Sequence, residues 1–115
     1  MEEKLLKIIN KFGINNQQRK LAEEVFELQE AIMEMQNKKW EMEGKGPEVV
    51  EPILNDYRLH IAEEIADVEV MLLQFKEYYY IDGKDILKIM NEKIDRTIDR
   101  MKKGFYENER NKNNI

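Results

Sequence analysis

The chain has 115 residues, 37% charged and 42% apolar, with a net charge of −5, 5 Gly, 2 Pro and no Cys. That is the length of one domain and the composition of a helical protein rather than a sandwich or barrel. It excludes disulfides, thiolate zinc sites and thiol nucleophiles, has no apolar run long enough to span a membrane, and lacks the basic face that nucleic-acid binding requires.

The N-terminal Met1-Glu2-Glu3-Lys4 lacks the apolar segment of a signal peptide, so the cytoplasm is the expected compartment. Residues 2–12 place Leu5, Leu6, Ile8, Ile9 and Phe12 at helical spacing and predict a short amphipathic helix ended by Gly13. Ile14-Asn15-Asn16 supplies a turn and an N-cap for the next element. A first long helix is predicted from Gln17 to Lys39, with Leu21, Val25, Leu28, Ile32 and Met35 as its apolar stripe. At about 100° per residue, Glu24 lies about 60° from the centre of that stripe and Glu27 about 120°. Glu23, Glu30 and Glu34 fall on the solvent side.

Residues 40–52 hold Gly44, Gly46, Pro47 and Pro52 and read as a connection, with Trp40 and Val49-Val50 packed on a neighbouring element. A second long helix is predicted from Ile53 to Tyr79 on the stripe Ile61, Ile65, Val68, Leu72 and Phe75. Tyr80 to Lys84 form a tight turn. A third long helix begins at Asp85 as N-cap and carries Ile86, Met90, Ile94, Ile98 and Met101, with Lys93, Arg96 and Arg100 along it. The expected fold is all-α: a helical bundle of one short and three long helices over 1–104, followed by a polar tail over 105–115. Met-rich stripes and the triple Tyr predict a homodimer or homotetramer.

The two central helices share more than periodicity. Leu21-Ala22-Glu23-Glu24-Val25-Phe26-Glu27-Leu28 and Ile61-Ala62-Glu63-Glu64-Ile65-Ala66-Asp67-Val68 match in apolar type, in Ala and in the register of three acids. Residues three apart on a helix are neighbours, so Glu24 with Glu27, and Glu64 with Asp67, each present two carboxylates to one point. On antiparallel helices the pairs converge into a box of oxygens beside the core. Four carboxylates there would repel one another and lose hydration unless a cation joined them. Magnesium, which prefers oxygen ligands and keeps several waters, suits such a box. A di-iron bundle site would need Glu-x-x-His, but His60, the only His, follows Tyr57 at that spacing. A solvated acidic face is the alternative for either pair alone; the equivalent doubling argues for a site.

These residues resemble the MazG-like all-α nucleoside triphosphate pyrophosphohydrolases, a superfamily that includes dimeric dUTPases and phosphoribosyl-ATP pyrophosphohydrolases. The resemblance rests on Glu23-Glu24-Val25-Phe26-Glu27 and Glu64-Ile65-Ala66-Asp67, with Phe12-Gly13, Gln17 and Lys20 before the first motif and Lys93-Ile94-Asp95-Arg96 late in the chain. It spans roughly residues 9 to 103. The 36 residues between the motifs, 28 to 63, exceed the family's usual gap. The resemblance implies Mg²⁺-dependent hydrolysis of an NTP or dNTP to the monophosphate and pyrophosphate, with Mn²⁺ as a substitute ion. Glu24, Glu27, Glu64 and Asp67 would hold the metal, and Glu23 or Glu24 would orient or deprotonate the attacking water. Lys93, Arg96, Lys20 and Gln17 would contact the substrate. A non-catalytic helical interaction module, or an idle protein that binds metal or nucleotide, are the alternatives.

Overall fold

The computed structural model describes residues 1–104, all of whose regular elements are helices: α1 (Glu2–Phe12), α2 (Ile14–Glu41), α3 (Pro47–Tyr78) and α4 (Gly83–Lys102). They form two compact units, one from Met1 to Tyr79 and one from Tyr80 onward. The expected polar tail over 105–115 lies outside the described residues. No described helix is long and apolar enough to cross a membrane.

Helix boundaries follow local chemistry, in places more closely than the periodicity predicted. Gly13, at φ 85°, separates α1 from α2 alone. The Asn15-Asn16 cap expected for α2 does not form. Instead α2 starts at Ile14, and Asn16 turns back to donate to the Phe12 carbonyl at 2.7 Å, covering an end of α1. The predicted 40–52 connection shrinks to the turn around Gly44, which adopts φ 87°. Pro47 explains why α3 begins six residues early, since a first-turn residue needs no N–H and proline's φ suits that position. Pro52 lies within α3, at the cost of the bond its N–H would have given the Glu48 carbonyl. Asp82, not Asp85, caps α4 by accepting from the Lys84 N–H at 2.9 Å.

In the first unit α1, α2 and α3 pack on one another, and α2 with α3 forms the main contact. The two helices run antiparallel: moving from Gln17 to Glu24 on α2 moves back from Gln74 to Glu64 on α3. On α2 the contact seam consists of Gln17, Glu24 and Ala31, all buried, with Leu21, Leu28 and Met35 half-buried between them. Leu54, Met71 and Gln74 are buried on α3, with Ile61, Glu64 and Val68 half-buried. Alternating steps of three and four residues are the signature of a long helical seam. Leu5 and Ile9 of α1 complete the core.

The seam is not the stripe the sequence predicts. Val25, Ile32, Ile65 and Leu72 are 39%, 49%, 40% and 46% exposed, and Glu24, Ala31, Glu64 and Met71 take their places. At 100° per residue the contact is rotated about 50° from the expected centre. The physical reason is that each apolar arc is wider than one helix–helix contact, and the hairpin uses only one edge of it. In an antiparallel pair the unused edges fall on one side of the hairpin. The opposite side carries Lys20, Glu23, Glu27, His60 and Asp67. Trp40, expected to pack, is 64% exposed, whereas Met42 beside it is buried. In the second unit, α4 has its apolar residues Met90, Ile94, Ile98 and Met101 exposed.

Candidate metal centre

The seam brings three carboxylates together. One oxygen each from Glu24, Glu27 and Glu64 lies within 4.8 Å of the other two. Helix α2 supplies two because residues three apart share a rim, and α3 supplies the third because Glu64 occupies the seam opposite Glu24. Burial is graded: Glu24 is 7% exposed, Glu64 half-buried and Glu27 exposed. The cluster thus opens from a buried floor towards solvent. Asp67, the fourth expected ligand, is exposed and outside this cluster. It lies one turn beyond Glu64 on the open side.

Glu24 Oε2 and Glu64 Oε2 are both buried without a hydrogen-bond partner among the described residues. A carboxylate oxygen that loses water and gains no donor is costly to bury. Glu24 Oε1 has one partner, the Lys20 ammonium at 3.1 Å. This contact holds the Lys20 ammonium above its ordinary pKa, chiefly through the hydrogen bond to Glu24. The three carboxylates outnumber the one ammonium, which leaves an excess of negative charge at the cluster. The donor set of hard oxygens is of the kind that could hold a divalent cation.

The neighbouring Glu24 charge, with desolvation and the Glu64 charge adding to it, holds Glu27 above the usual carboxylate value of 4.5. The metal-free fold therefore keeps this proton more tightly than the unfolded chain. Glu27's contribution to folding is fully present below 4.5 and is lost as pH rises through the raised value. A bound cation needs the deprotonated form, so metal affinity has the opposite trend. Stabilisation by Mg²⁺ is expected to start failing, as pH falls, while still above 4.5. Melting curves with and without Mg²⁺ from about pH 8 to about pH 4 would show this, and persistence below 4.5 would contradict it.

The remaining expected site residues are distributed differently. Glu23 is exposed, and with the seam rotated it stands beside Glu27 on the carboxylate side, not on the far face. Gln17, expected to contact substrate, is buried, and its amide Nε2 donates to Gln74 Oε1 at 2.6 Å. Gln74 in turn approaches Met71 Sδ at 3.6 Å. This inter-helix amide pair was missed in the sequence, where Gln74 breaks an apolar pattern without announcing a partner. Lys93 and Arg96 are exposed on α4, in the second unit. No family model, no curated protein and no solved structure matches this chain.

Proposed function

We propose that this chain is a Mg²⁺-dependent nucleoside triphosphate pyrophosphohydrolase that also accepts Mn²⁺ and works as a cytoplasmic homo-oligomer. The observation that carries this reading is the three-carboxylate cluster whose deepest member, Glu24, is 7% exposed with one oxygen unpartnered. A bound cation would neutralise charge on the polyphosphate and on the departing pyrophosphate. Glu24, Glu27 and Glu64 would hold it, and Asp67, exposed and outside the cluster, would be the fourth ligand. Glu24, or Glu23 outside the cluster, would orient the attacking water or accept its proton. The water oxygen bonds to the α-phosphorus as the bond to the bridging oxygen breaks, releasing monophosphate and pyrophosphate.

The test is pyrophosphate release from a panel of NTPs and dNTPs with Mg²⁺, with Mn²⁺ and with EDTA. Release that requires the ion supports the proposal; no release from any triphosphate contradicts it. The exposure of Asp67 favours a second reading, a cation-binding module without turnover. That reading predicts thermal stabilisation by Mg²⁺ and no pyrophosphate.

The oligomer is supported by Val25, Ile32, Ile65 and Leu72, which share the side of the hairpin away from the carboxylates and are left uncovered. A charge placed in an apolar contact between copies would be desolvated without a partner. Ile65→Asp is expected to convert a multimer to a single chain by size exclusion with light scattering. A wild-type protein that is already monomeric would contradict the oligomeric assignment.

A further inference from the structure

Glu24 divides its two oxygens between different surroundings. Oε1 meets Lys20 Nζ at 3.1 Å, one helical turn back on α2, whereas Oε2 is buried with no partner among the described residues. The Lys20 side chain is 52% exposed and that of Glu24 9%, so the ammonium stands at the rim and grips the carboxylate from outside. Glutamate has three rotatable side-chain bonds, and an ionised one in a seam gains hydration by swinging out to solvent. The ion pair opposes that swing, yet uses only one oxygen.

We propose that Lys20 is a positioning residue for the metal centre: by holding Glu24 Oε1 it keeps Glu24 in the seam and leaves Oε2 as the ligand atom. Lys20 thereby acts through Glu24, not on the phosphates of the substrate. This assignment rests on reading the carboxylate cluster as a cation site. It resembles the way outer partners orient metal ligands elsewhere, where their loss weakens metal binding by about 10- to 100-fold.

The proposal has a sign that simple electrostatics does not share. A nearby ammonium repels a dication, so if Lys20 were only a local charge, removing it would tighten Mg²⁺ binding. A positioning role demands the reverse.

The experiment is calorimetric titration of Mg²⁺ into the full chain as wild type, Lys20→Met and Lys20→Arg, with melting temperatures in EDTA. Lys20→Met is expected to bind Mg²⁺ about 10-fold more weakly. Lys20→Arg, which keeps a cationic donor, is expected to stay within about 3-fold of wild type. Melting temperatures without metal report the fold separately: Lys20→Met is expected to melt somewhat lower, because it leaves a Glu24 side chain that is only 9% exposed without its cation, so the titrations are run where every variant is folded. Equal or tighter binding by Lys20→Met, with wild type binding normally, would overturn this inference alone. Absence of Mg²⁺ binding by wild type would overturn it together with the metal-site reading.

Discussion

Glu24→Gln is expected to weaken Mg²⁺ binding by at least about 100-fold and to abolish pyrophosphate release, while the metal-free fold survives. The amide keeps the shape of the side chain but removes the charge that a dication needs. Glu24→Leu should go further. It replaces a buried carboxylate having one unpartnered oxygen by an apolar side chain between Leu21 and Leu28 in the seam. Removing a buried ion whose desolvation is only partly offset is commonly neutral or stabilising, and about 1–2 kcal/mol is expected here. For a domain of this size that raises the melting temperature by about 5–10 °C in EDTA. Calorimetry of wild type, Glu24→Gln and Glu24→Leu, with and without Mg²⁺, checks both halves. A Glu24→Leu protein less stable than wild type in EDTA would mean that Glu24 serves the fold and not a ligand.

Gln74→Leu is expected to cost about 2 kcal/mol, or about 10 °C in melting temperature. The amide of Gln17 would lose its acceptor while staying buried in the seam, and a donor left without a partner bears its full desolvation cost. Replacing both partners removes the orphan, so Gln17→Leu/Gln74→Leu should recover at least half of the loss. A double-mutant cycle by thermal or denaturant unfolding measures that coupling. Strictly additive losses would show that the two amides do not depend on one another. The pair sits at one end of the hairpin and pins α2 against α3 in the register that places Glu24 opposite Glu64.

Much of the fold was legible in the residues. Periodicity and the three Gly-containing breaks led to four helices, and Gly13 marked the first boundary to the residue. The α3 start was hidden because Pro47 and Pro52 read equally as loop residues and as first-turn helix residues. The repeated acid motifs pointed to Glu24, Glu27, Glu64 and Asp67, of which the fold gathers the first three. Their depth was not readable. Val25 and Ile32 are more hydrophobic than Glu24 and Ala31, so a pattern based on apolar character centred the stripe on them. The packed hairpin instead chose the edge containing Ala31, whose small side chain permits close approach of α3, and drew Glu24 inward with it. Hydrophobic pattern identifies how wide an arc is, but the choice of contact within it depends on partner shape. The same limit hid Gln17, whose partner lies 57 positions away.

The most direct test of the central claim is ³¹P NMR of a nucleoside triphosphate incubated with the full chain and Mg²⁺, beside Glu24→Gln under the same conditions. Wild type should replace the three triphosphate signals by those of monophosphate and pyrophosphate, and Glu24→Gln should leave the triphosphate intact. Unchanged triphosphate with wild type, orthophosphate as the first product, or equal turnover by Glu24→Gln would contradict the assignment.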